Sequence, residues 1–167
     1  MLEFWVLLIL PAAVAFAAAM DIFTMTIPNR VSILMTLAFF PAAWLAGIGW
    51  VAIAQHAMTG AAVLVVGFVL FARGLFGGGD AKLLAAIALW LGYDDLLAYL
   101  LCVAVAGGML AVLIGMARQV PLPRQLLGEP WAHRLHREGG GIPYGVALAA
   151  GGLMIYPDTA WFASLVN

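Results

Sequence analysis

Charge is what this sequence has least of. Asp, Glu, Lys and Arg make up 9% of its 167 residues, where a water-soluble domain carries about a quarter. Too few polar side chains are present to coat a globule in water. Seven basic residues against eight acidic ones leave a net charge of −1, so there is no basic field of the kind that holds nucleic acid. Cysteine is nearly missing: Cys102 alone excludes an internal disulfide and a four-cysteine zinc site. The amino end, Met1-Leu2-Glu3-Phe4, lacks the basic region of a cleavable signal. Its apolar run of about 19 residues is also long for a signal core, which predicts a retained transmembrane helix.

What is present is hydrophobic sequence, 66% of the chain, at a mean hydropathy of +1.10. A helix needs roughly 20 apolar residues to cross about 30 Å of hydrocarbon. Spans are expected near 2–20, 31–50, 54–72, 96–117 and 143–163. A further candidate, 81–93, is short, giving about 20 Å of helix, and either spans within a protein surround or is re-entrant. Charge decides between the two. If 81–93 spans, Arg30, Arg73, Lys82, Arg118, Arg124, Arg134 and Arg137 all fall on one side, and Glu3, Asp94, Asp95 and Asp158 on the other. That asymmetry marks the cytoplasmic face. The expected fold is all-α, a single domain over 1–167 with six transmembrane helices and both termini outside. Trp5, Trp44, Trp50, Trp90, Trp131 and Trp161 mostly fall near span ends, as interfacial anchors do. Gly107-Gly108 and Gly151-Gly152 are expected at close helix contacts. The loop 118–142 is the one long polar segment, with a short amphipathic helix expected around 124–137.

Against this background one stretch stands out, Phe76-Gly77-Gly78-Gly79-Asp80-Ala81-Lys82. Asp80 precedes Ala-Lys-Leu-Leu-Ala-Ala and would cap a helix well. The glycines before it do more than a cap needs, because they cost conformational entropy and allow a second chain to come close. Asp21 ends the first apolar run and is followed by Ile27-Pro28-Asn29-Arg30, with Asn29 a natural cap for the second helix. Asp21 either flanks the first helix at the headgroup level or is functional. In a six-span topology Asp21 and Asp80 lie at the same membrane depth on the same side. Ionisable groups at such depth point to function. Two carboxylates that meet can share one proton and run aspartyl protease chemistry on water.

Asp21 with Ile27-Pro28-Asn29, Gly77-Gly78-Gly79-Asp80-Ala81-Lys82-Leu83-Leu84-Ala85-Ala86, and Gly141-Ile142-Pro143-Tyr144-Gly145-Val146-Ala147 resemble, in order, the recurring segments of the prepilin peptidase (type IV leader peptidase) family of GxGD membrane aspartyl proteases. The resemblance implies removal of the basic leader of prepilins or pseudopilins after a glycine, at the cytoplasmic face of the bacterial inner membrane. It implies Asp21 and Asp80 as catalytic residues. Gly77, Gly79, Lys82, Pro143, Tyr144 and Gly145 would serve the substrate, and neither metal nor cofactor is implied. Longer members carry paired CxxC motifs that bind zinc; one cysteine cannot supply them, so the chain resembles the short peptidases of Flp-type pilins. Lys82 either snorkels to headgroups or tunes Asp80, and Pro143-Tyr144-Gly145 either forms a turn or lines the substrate path.

Other readings remain open on residues alone. A proton-coupled transporter would put its acids near the bilayer midplane beside broken helices. An assembly factor without catalysis would tolerate loss of both acids. His133 and His136 have the spacing of a metal pair or of a surface helix turn. A rhomboid-type serine protease is set aside, since Ser32 and Ser164 lie in no GxSG setting.

Overall fold

The computed structural model describes residues 2–159, 162 and 163. Among them the chain is all-α, with seven α-helices: α1 (Leu2–Thr24), α2 (Asn29–Leu45), α3 (Trp50–Ala72), α4 (Gly78–Leu91), α5 (Leu96–Ala117), α6 (Pro130–His136) and α7 (Tyr144–Ile155). Short 3-10 turns lie at Arg124–Leu126 and Tyr156–Asp158. Among the described residues three helices are long and apolar enough to cross a membrane: α1 (over Val6–Thr24), α3 and α5. The remaining apolar helices are shorter, with 17 residues in α2, 14 in α4 and 12 in α7. The segment expected at 143–163 is broken after Ile155. Pro157 has no N–H to continue the helical ladder, and the chain tightens there into a 3-10 turn. Trp161 and Ser164, like the side chain of Trp5, lie outside the described residues.

The short fourth helix is the centre of the molecule. Every residue from Ala85 to Leu91 is buried, enclosed by α3, α2 and α7. A helix apolar on all sides belongs inside, and one surrounded by protein has no bilayer thickness to match. α3 reaches it through two glycines on one face. A Cβ on Gly60 would lie 2.9 Å from the Leu89 Cβ, and one on Gly67 would lie 3.0 Å from the Ala81 Cβ. Such small residues let helix backbones approach closely without lipid between them. α7 packs between α1, α4 and α5. There Gly152 faces Ile87, Gly151 faces Val103, and Gly107 of α5 receives the Tyr144 ring, as expected of these glycines. Gly108 instead meets open space.

Trp90 departs from the anchoring role expected of it. It is 0% exposed, and its Nε1–H donates to the Met35 carbonyl at 3.0 Å. The cause is the burial of α4, which leaves the indole no interface to reach. Trp44 and Trp50 do sit exposed at the α2–α3 turn, edge to face at 6.1 Å. Outward-facing Leu34, Val65, Leu101 and Val112 give α2, α3 and α5 an apolar outer surface, as lipid contact requires.

Candidate active site

Asp21 occupies the last turn of α1, and the helix ends by an unusual route. Met25 adopts φ 55°, and its N–H closes on the Asp21 carbonyl at 2.8 Å. A left-handed residue after the last turn is a common helix stop, although glycine is its usual occupant. Thr26, Ile27 and Pro28 follow without regular structure, Pro28 in extended form at the N-cap of α2. Asn29 then opens α2 without capping it. Its Oδ1 instead accepts from Lys82 Nζ at 2.8 Å, so the cap expected of Asn29 is replaced by a tie between α2 and α4.

Gly77 is the N-cap residue of α4, and Asp80 follows as its third residue. Asp80 is therefore not the cap that position alone predicts, though an acid in the first turn is favoured by the helix dipole. The glycines have distinct neighbours. A Cβ on Gly77 would land on the Asp80 carboxylate, one on Gly78 would press on the Phe71 ring, and one on Gly79 would lie 3.2 Å from the Ile27 Cβ. The close approach these glycines allow is partly spent on the protein's own chain.

The two acids share one cavity of about 270 Å³, lined by the turn Met25–Asn29 in part and by Gly77, Gly78 and Gly79. They lie within electrostatic reach of each other. Asp21 is only 5% exposed, while Asp80 is half-buried. Gly145, at the start of α7, donates its backbone N–H to Asp21 Oδ2 at 2.7 Å. A Cβ on Gly145 would meet that oxygen at 2.9 Å and Ile27 Cδ1 at 3.0 Å. Ile27 is thus wedged between Gly79 and Gly145, and joins all three sequence segments at one point. Ile27 stood in the sequence only as part of the Ile27-Pro28-Asn29 segment, where no charge gave it a role of its own.

Of the other expected site residues, Lys82 lies just behind the cavity on Asn29. Pro143 and Tyr144 do not line it. Pro143 is the N-cap residue of α7, and the Tyr144 ring turns toward α5, edge to face with Phe76 at 5.8 Å. They brace the segment that delivers the Gly145 N–H. The polar loop folds over the same end. Arg118 donates to the carbonyls of Leu135, Gly140 and Gly141. Arg134 donates to the Phe23 carbonyl, and Trp131 meets the Phe23 ring edge to face at 5.6 Å. His133 contacts the Leu127 carbonyl at 2.8 Å, closing a local turn.

The model of the type IV leader peptidase family matches residues 8–112, which hold both Asp21 and Asp80. The chain belongs to that family. Comparison with curated proteins and with solved structures found no match. Membership makes the type IV leader peptidase reading a statement of kind: a membrane-embedded peptidase whose substrate class is the prepilin leader. The matched stretch of this leader peptidase stops before α6 and α7, so the part played by Gly145 rests on geometry alone.

Proposed function

We propose that the protein is an aspartic-type endopeptidase that removes the basic leader from Flp-type prepilins after a glycine, with Asp21 and Asp80 as the catalytic pair. The observation that carries this is a single cavity lined by both carboxylates, one from the end of α1 and one from the start of α4. One member of such a pair is ionised and takes a proton from water, which attacks the scissile carbonyl. The other, protonated, polarises the carbonyl oxygen and later helps protonate the departing amine. Water is the co-reactant, and the chemistry calls for no metal or cofactor.

Gly77 and Gly79 hold the rim low enough for an extended substrate chain, and Gly145 keeps Asp21 turned to the cavity. The charge pattern supports six spans, with the dyad facing the cytoplasm and both termini periplasmic. The test is cleavage of a co-expressed Flp-type prepilin by the native protein, Asp21→Asn and Asp80→Asn. Each change is nearly isosteric but removes a titrating proton. Both variants are expected to insert normally and to lose on the order of 10³-fold or more in rate. Normal processing by either variant would end the two-aspartate reading.

A further inference from the structure

An apolar cleft on the outer side of the bundle adjoins the candidate site. α2 and α3 both pack on α4, and the space between them is a cleft of about 390 Å³ with α4 as its floor. Its walls are Ile33, Leu37 and Phe40 on one side and Ala57, Gly60 and Ala61 on the other. Lining residues on α2 run from Ser32 to Phe40, a length of about 12 Å or roughly two helical turns. Lys82 is the single charged residue on it, at the end nearest Asp80.

Two further observations distinguish this cleft from ordinary lipid-facing surface. Lys82 at its mouth holds Asn29, and Asn29 lines the Asp21/Asp80 cavity. The cleft and the cavity are therefore separated by one hydrogen-bonded pair. Ser32, also at that end, is 5% exposed, and its Oγ has no hydrogen-bond partner among the described residues. A buried hydroxyl without a partner costs free energy, and because this oxygen is closed to solvent it meets a ligand only when the Ser32 side chain turns into the cleft that the residue lines.

We propose that this cleft receives the apolar helix that follows the scissile bond of the substrate, an inference that rests on the peptidase reading above. A peptide must be extended to be cut, so the substrate's helix starts just beyond the cavity. The first N–H groups of any helix lack partners within it, and at that level Ser32 Oγ, once turned into the cleft, is an acceptor for one of them. The small residues of α3 let a second helix pack closely, as in membrane helix pairs generally. A lipid tail could wet the same walls but has no N–H group for Ser32.

The experiment is cleavage of a full-length Flp-type prepilin in proteoliposomes, with KM and kcat measured separately. Ala61→Trp fills the cleft from an exposed position on α3, and Val65→Trp places the same bulk on a 64% exposed position outside it. Ala61→Trp is expected to raise KM about tenfold with kcat nearly unchanged, and Val65→Trp to change neither. Ser32→Ala is expected to raise KM by roughly threefold to tenfold, the loss of one hydrogen bond. A photo-crosslinking residue at Leu37 should join to the substrate, whereas one at Leu113 on the outer face of α5 should not. Native kinetics in Ala61→Trp, or adducts at Leu37 with lipid alone, would overturn the proposal while leaving the peptidase reading intact. No cleavage by the native protein would remove both.

Discussion

The two ends of α4 both carry acids, and they differ in almost every other respect. At its start, Asp80 shares a cavity of about 270 Å³ with Asp21, closed in by glycines and a backbone N–H from α7. Beyond its end, Asp94, Asp95 and Asp158 border a cleft of about 650 Å³ beside His56. The second site is larger and has more carboxylates, yet Asp94 and Asp158 are exposed and sit on turns. His56 there is occupied with the fold itself, contacting the Leu89 carbonyl at 2.8 Å and stacking on Phe39. Confinement, not the number of acids, separates the proposed catalytic pair from a solvated rim.

The strongest way to break that comparison is to exchange acid for amide at both ends. The dyad variants should lose activity as stated above, whereas Asp94→Asn and Asp158→Asn should cleave within about twofold of native. A large loss at the far end would move the chemistry there. Next in size is Gly145→Ala, whose added carbon collides with Asp21 Oδ2 and Ile27 Cδ1. Misplacing a catalytic group by about 1 Å costs on the order of 10²-fold. The loss is expected in kcat rather than KM, which steady-state kinetics on detergent-solubilised protein would separate.

Trp90→Phe sharpens the comparison from the structural side. It deletes the bond to the Met35 carbonyl in the buried half of α4, leaving a buried acceptor short of a partner at a cost of about 1–3 kcal/mol. Thermal melting should fall while cleavage at low temperature holds. The smallest effect is expected for Asp95→Asn. Burial first, then Asp94 and Asp158, push the Asp95 carboxyl above its ordinary range, with His56 opposing them. A raised carboxyl binds its proton more tightly folded than unfolded, so its charged form costs stability above the folded value and nothing below the unfolded one. The amide should therefore melt slightly higher near pH 7, with the difference fading as pH falls below about 4. A gap that widened on acidification would contradict the sign.

The sequence was most readable where it broke its own pattern. Asp21, Asp80 and the segment 141–147 are interruptions in apolar sequence, and the fold brings all three together at one bundle end. It was least readable along the helices. In a soluble helix the polar face reveals which side is buried, but here lipid and core are both apolar, so no stripe marked α4 as enclosed. Trp90 was misjudged for that reason. Gly60 and Gly67 passed unnoticed because a lone glycine does not show what lies opposite. The Asn29–Lys82 bond and the Ile27 wedge join residues distant in the chain, and only packing could reveal them.

The bond from Gly145 to Asp21 also sets a timetable. Its two ends are 124 residues apart in the chain, and domains assemble as they leave the ribosome, amino end first. A nascent chain released only through α5 already carries both aspartates but not the N–H that holds the Asp21 carboxylate. The proposed site is therefore complete only once α7 has been made and packed against α1, and a chain that already holds both aspartates still lacks the contact that fixes one of them.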